Sequence, residues 1–307
     1  MTITLIRVMY SASIEIVRLL SKIKINPLFW VVIGIGVATG YFREMLIVFT
    51  IVFIHELGHA AAANHFQWTI KKIELLPFGG VAEVEYIDGK PFYEEWIVIL
   101  FGPLQHLWLI ALSYLFLSFP FWSESDHRLF VWHNVVLFTF NLLPVLPLDG
   151  GRFVQLFFCQ RYPYVQALRY TRIVSFATLT VVLCASLFIF PFHLHLFIVL
   201  LFLLTVNYME WKQRHYRFIR FLVARFSGKS DQSRRSTIAL HADTPLREAV
   251  KRLRRGYVHL FKVYEGKTGT YFFVAEKELL TLYLTRRHPN APLRSFFPQR
   301  PPPPPHP

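Results

Sequence analysis

Residues 45–63 read MLIVFTIVFIHELGHAAAA, an apolar run broken only by Thr50 and by the group His55, Glu56 and His59. An apolar stretch of this length reads as a membrane-depth helix, where ionisable side chains are costly and mark function. Residues four apart share one face of a helix, so His55 and His59 can offer two imidazoles to a single Zn²⁺. Glu56, one step round, is placed to take a proton from water as that water attacks a peptide carbonyl. The pattern therefore predicts hydrolysis by zinc-activated water. A three-position pattern also arises by chance, but three ionisable groups in an apolar helix would be costly with nothing to neutralise them.

Catalytic zinc needs a third protein ligand and an open position. His65 completes a longer His-Glu-x-x-His-x-x-x-x-x-His spacing, yet Ala62 stands where metzincins have the glycine that turns the chain back. On an unbroken helix His65 lies about 15 Å along the axis from His55 and roughly 80° round from it. Asp149, in NLLPVLPLDGG at residues 141–151, is preferred. A lone carboxylate at the end of a second apolar segment needs a cation partner; without the first motif it would read as an Asp-Gly turn.

Composition agrees with a membrane protein. The chain has 307 residues, 54% hydrophobic, with 31 Phe and only 17% charged, a balance that excludes a wholly soluble protein. Apolar stretches at residues 29–42, 45–63, 96–119, 129–147, 173–190 and 194–209 predict about six spans, some of them short. Residues 2–20 suit a surface helix, and no cleavable leader stands out. Lys22, Lys24, Lys71, Lys72, Lys90, Arg152, Arg161, Arg169, Arg172, Lys212, Arg214 and Arg217 fall before the first span or after even-numbered ones. The opposite loops offer mainly Arg43 and Arg128, so both termini are expected in the cytosol. This topology brings His59 and Asp149 to the same membrane side. Pro144 and Pro147 suit irregular backbone around a polar cavity.

Residues 70–86 interleave apolar and charged side chains about Pro77-Phe78-Gly79-Gly80, which predicts a β-hairpin. Its edge could receive an extended substrate, or the hairpin could simply cover the mouth of the site. After Met209 the character turns basic and then polar, marking a boundary. The expected divisions are a surface segment at 1–24, a transmembrane domain at 25–211, a linker at 212–235, a small domain at 236–297 and a Pro-rich tail at 298–307. The small domain reads as a strand at 237–240, a helix from Asp243-Thr244-Pro245 to about Arg254, strands at 259–264 and 271–274, and a helix from Glu276. The tail reads as disordered polyproline. Cys159 and Cys184 make neither a disulfide framework nor a zinc spacing.

His55-Glu56-x-x-His59, Gly102-Pro103 opening the third span, the hairpin LPFGGVAE at 76–83 and the Asn141 to Gly150 motif resemble the site-2 proteases, the intramembrane zinc metalloproteases. The resemblance covers nearly the whole chain apart from the tail and is strongest to the sporulation branch. It implies an α-helical multi-pass fold with a re-entrant hairpin and a small cytosolic α+β domain similar to a CBS domain. It implies zinc held by His55, His59 and Asp149, with Glu56 as general base. Asn141 and Pro147, with Phe78 and Gly79 of the hairpin, are expected to bind substrate. It implies a membrane-associated pro-sigma factor (pro-sigma-K) as substrate, inhibitory membrane partner proteins, and the outer forespore membrane, facing the mother cell, as location. A CBS-like domain can bind ATP or serve only as a docking module, and a homo-oligomer is compatible with the resemblance. The formal charge of +14 raises nucleic acid as a partner, but no reading motif accompanies it, and anionic lipid headgroups explain the charge more simply. Two other classes compete: a metal-ion carrier, which has no need of Glu56, and an inactive scaffold, which has no need of the ligand set.

Overall fold

The structure, a computed structural model, describes residues 23–25, 27–76, 79–84, 89–188, 194–228, 234–266, 270–285 and 288–297. Phe78, residues 2–20 and the tail at 298–307 lie outside the described residues. The chain divides into two compact units. The first comprises residues 1–87, 93–143 and 148–150, and the second the remainder.

In the first unit, strand β1 (Ile23–Ile25) precedes helices α1 (Pro27–Ala38) and α2 (Phe42–His65). Strands β2 (Ile70–Leu76) and β3 (Gly79–Val84) follow, then α3 (Phe92–Phe116) and α4 (Glu124–Asn141). The hairpin forms as expected: β2 and β3 pair antiparallel, with Leu76 opposite Gly79 and a register irregularity between Ile70 and Lys72. β1, which the sequence reading did not anticipate, adds in parallel to the other side of β2. Ser123 and Asp126 start α4 with a reciprocal capping box, each side chain accepting from the other's main-chain amide. Ile51, Leu109 and Phe130 form the buried apolar seam between α2, α3 and α4.

The second unit carries α5 (Asp149–Arg161) beyond its first two residues, α6 (Tyr164–Phe188), α7 (Leu194–Lys212) and α8 (Arg214–Phe226). It ends in β4 (Arg234–His241), α9 (Leu246–Lys251), β5 (Tyr257–Glu265), β6 (Thr270–Ala275) and α10 (Glu276–Thr285). β4 and β5 run parallel, joined through α9, and β6 returns antiparallel to β5. This is the predicted strand and helix succession, except that α9 stops at Lys251 rather than near Arg254. Phe261, Val263, Phe272 and Val274 form its core with Leu253 and Leu279. Phe221 and Leu222 of α8, in the stretch read as a linker, are buried in the same core.

The carboxylate of Glu276 organises the polar side of this core. It accepts from Arg225 Nε at 2.6 Å and Nη2 at 2.7 Å, and from the His259 amide at 2.8 Å. Burial opposes the charge on Glu276, but the hydrogen bonds from His259 and Arg225 outweigh it and lower its pKa to about 2. Elsewhere in this unit both main-chain groups of Leu146 are held by side chains. Its N–H donates to Ser175 Oγ at 3.0 Å, and its carbonyl accepts from Asn207 Nδ2 at 2.5 Å.

Each of the six apolar stretches contains helix. Among the described residues three helices are long and apolar enough to cross a membrane: Phe42–His65, Phe92–Phe116 and Tyr164–Ser186. A fourth is reached if the pair bent by 54° at residue 213 counts as one span.

Candidate metal centre

His55 and His59 stand in the C-terminal half of α2, which continues without interruption to His65. The missing glycine at position 62 has the predicted effect: the helix does not turn back, and His65 is its exposed last residue. α2 crosses α3 where neither helix has room for a side chain. A Cβ on Gly58 would sit 2.5 Å from the Phe101 carbonyl oxygen, and one on Gly102 would sit 2.1 Å from His59 Nε2. Gly102 and Pro103 lie well inside α3 rather than at its start.

Asp149 follows the apolar stretch but begins a helix rather than ending one. α4 stops at Asn141, the chain runs irregularly over 142–148, and Asp149 is the first residue of α5. Gly150 permits this fold-back, because a Cβ there would lie 2.2 Å from the Leu142 carbonyl oxygen and 2.4 Å from that of Leu143. The turn delivers the carboxylate to the histidines. His55 Nε2, His59 Nε2 and Asp149 Oδ2 form a triangle 3.1 Å on each side, and all three residues are buried.

The triangle fits a divalent cation. His59 Nδ1 must carry its proton, because it donates to the Val98 carbonyl at 2.7 Å, so Nε2 presents a lone pair. Two nitrogen lone pairs and a carboxylate would repel one another at this spacing without a positive centre. Ligands about 2.0–2.1 Å from a tetrahedral zinc lie about 3.3 Å apart, close to the observed edges. Three protein ligands leave one position for water or substrate. Glu56 is buried beside His55.

The substrate-site expectations are placed as follows. Asn141 is the last residue of α4, Pro147 lies in the irregular segment before Asp149, and Gly79 opens β3. Sequence reading passed over His106 on α3 and Asn134 on α4. His106 Nε2 lies 3.1 Å from His55 Nδ1, and His106 Nδ1 lies 3.1 Å from Asn134 Oδ1. The signal was available. Both are polar residues within apolar stretches, the same argument that singled out His55.

The sequence matches the model of peptidase family M50 over residues 44–125 and 124–185. It is 33% identical over 280 residues to stage IV sporulation protein FB of Bacillus subtilis, covering 91% of this chain and 97% of that protein. A zinc metalloprotease of Methanocaldococcus jannaschii is 31% identical over 146 residues, 46% of this chain and 39% of the relative. Among solved structures, the site-2 protease from Methanocaldococcus jannaschii is 26% identical with a TM-score of 0.46, covering 63% of this chain and 91% of that one. The chain is an integral membrane protein and a zinc metalloendopeptidase that belongs to peptidase family M50, the site-2 proteases.

Proposed function

We propose that His55, His59 and Asp149 hold the zinc ion and that Glu56 is the general base in hydrolysis of a membrane-associated protein. The observation that carries this reading is the convergence of three ligand atoms, 3.1 Å apart, from residues 90 positions apart in the chain. When bound, zinc supplies Lewis acidity, lowering the pKa of water toward neutrality and polarising a carbonyl. The chain's own residues then act around it. The Glu56 carboxylate takes a proton from the attacking water and returns it to the departing amine. Val98 holds the His59 ring through its carbonyl. Crowding at Gly58 and Gly102 keeps other side chains out of the crossing.

Substrate binding falls to Asn141, Pro147, Phe78 and Gly79. β3 is an outer strand of its sheet among the described residues, and such an edge can receive an extended chain by strand addition. Similarity to the sporulation relative supports a membrane-tethered pro-sigma factor, pro-sigma-K, as substrate. On the same reading the protein has six spans with both termini in the cytosol, sits in the outer forespore membrane, self-associates, and is restrained by inhibitory membrane partners. Residues 25–211 are the protease domain, and residues 236–297 form a CBS-like domain that takes ATP. A cavity of about 740 Å³ supports that ligand; Arg235, Ser236, Thr237 and Lys277 line it with groups suited to phosphate.

Co-expression with a membrane-tethered pro-sigma factor tests the reading. Glu56→Gln is expected to keep zinc while losing roughly 10²–10⁴-fold in cleavage rate, the usual weight of a general base. Asp149→Asn is expected to lose zinc and His65→Ala to keep it. Cleavage retained in Glu56→Gln, or zinc retained in Asp149→Asn, overturns the assignment.

A further inference from the structure

The ligand His55 is useful only as one tautomer. To present a lone pair from Nε2 it must carry its proton on Nδ1, and a neutral imidazole otherwise divides its proton between the two nitrogens. For His59 the choice is made by a main-chain carbonyl, which can only accept. His55 Nδ1 faces another imidazole, His106, which can donate or accept. The decision therefore passes outward, to whatever fixes His106.

That group is Asn134. Its Nδ2 donates to the Phe130 carbonyl at 2.9 Å, one turn back on α4. The reverse amide orientation would set oxygen against oxygen, so Oδ1 is the atom that faces His106 Nδ1. An amide oxygen only accepts, so His106 carries its proton on Nδ1 and offers a lone pair from Nε2. His55 Nδ1–H then donates to that lone pair, and His55 Nε2 is left bare toward Asp149 and His59. Every group in the series is buried: Asn134 is 0% exposed, His106 1% and His55 4%. Water has little access to relieve a wrong arrangement, and each polar group depends on the next.

We infer that His106 and Asn134 are positioning residues that hold His55 in its zinc-binding tautomer, a proton-ordered series running from the Phe130 carbonyl to the metal centre. His106 is not itself a ligand, because it addresses the ring nitrogen of His55 opposite the one that faces Asp149. Partners of this kind on other zinc histidines change metal affinity when removed, typically by about 10–100-fold. The inference rests on the assignment of His55 as a ligand.

The test is zinc competition against a chromophoric chelator, using the purified full-length chain in detergent at fixed pH. His55→Ala serves as the reference. If it binds zinc as tightly as the wild type, the ligand assignment itself has failed. With that reference behaving as a lost ligand, His106→Leu and Asn134→Leu are expected to weaken zinc about 10–100-fold. His106→Gln, whose amide oxygen can accept from His55, is expected to recover most of the loss. A merely structural role predicts no such recovery, since glutamine fills the space no better than leucine. Wild-type affinity in both leucine variants, or equal weakening in His106→Gln and His106→Leu, overturns the inference.

Discussion

The helices around the candidate metal centre and the C-terminal sheet differ in how they divide polar and apolar side chains between inside and outside. In the first unit the interior holds His55, Glu56, Glu95, His106, Asp126, His127 and Asn134, while Leu104, Leu107, Trp108, Tyr114 and Leu115 of α3 face outward. In the C-terminal sheet Phe261, Val263 and Val274 are fully enclosed, and β4, β5 and β6 alternate between covered and open positions. The difference follows from the solvent. In water an apolar side chain gains by leaving the surface. In a bilayer the surroundings are as apolar as the side chain, so large apolar residues can face outward while polar groups that need one another gather inside.

Breaking the buried Arg225–Glu276 pair of the C-terminal domain is expected to have the largest effect on stability. Glu276→Ala leaves Arg225 enclosed with its charge uncompensated, and loss of one partner of such a pair costs about 3–5 kcal/mol. Thermal unfolding of the full chain should show the C-terminal transition displaced while bound zinc is unchanged. The same pair predicts a pH dependence with a definite sign. The folded pKa of Glu276 lies at about 2, below its ordinary 4.5. Its contribution is whole above the higher value and drains away as pH falls toward the lower one. Glu276→Gln should flatten the loss of stability across that window, and an unaltered acid profile would separate Glu276 from it.

Leu→Ala at two positions sharpens the contrast further. At Leu253, 1% exposed in the sheet domain, a cost of about 2–5 kcal/mol is expected from lost burial and the cavity left behind. At Leu107, 54% exposed on α3, the change should stay within about 0.5 kcal/mol in detergent. Similar costs at the two sites would mean that α3 faces something other than lipid. Gly102→Ala falls between them, at about 1–3 kcal/mol for a methyl forced into a filled space. Its damage should appear in zinc content before it appears in unfolding, because the nearest atom is His59 Nε2.

Sequence reading was most successful where one local rule governs. The helix that sets His55 and His59 on one face, the pairing of β2 with β3, and the strands about Leu240, Phe261 and Val274 each depend on a few adjacent residues. It was least successful where distant segments meet. β1 is short and finds its partner near residue 73, far along the chain. The helix start at Asp149 was missed because the fold-back around Gly150 depends on close main-chain contacts with Leu142 and Leu143 that no periodicity encodes. His106 and Asn134 carry the same warning as His55, a polar group in an apolar stretch, but lack a motif around them. Their partners lie 51 and 28 positions away.

The two histidines proposed to hold zinc differ in what anchors them. His59 leans on the Val98 carbonyl, an atom of the main chain that no point mutation can delete, so that ligand is effectively hard-wired. His55 leans on the imidazole of His106, which a single codon can replace. Drift through the hydrogen-bond partner is therefore open for one histidine and closed for the other, and a designer wanting a looser or tighter grip on zinc can begin at His106.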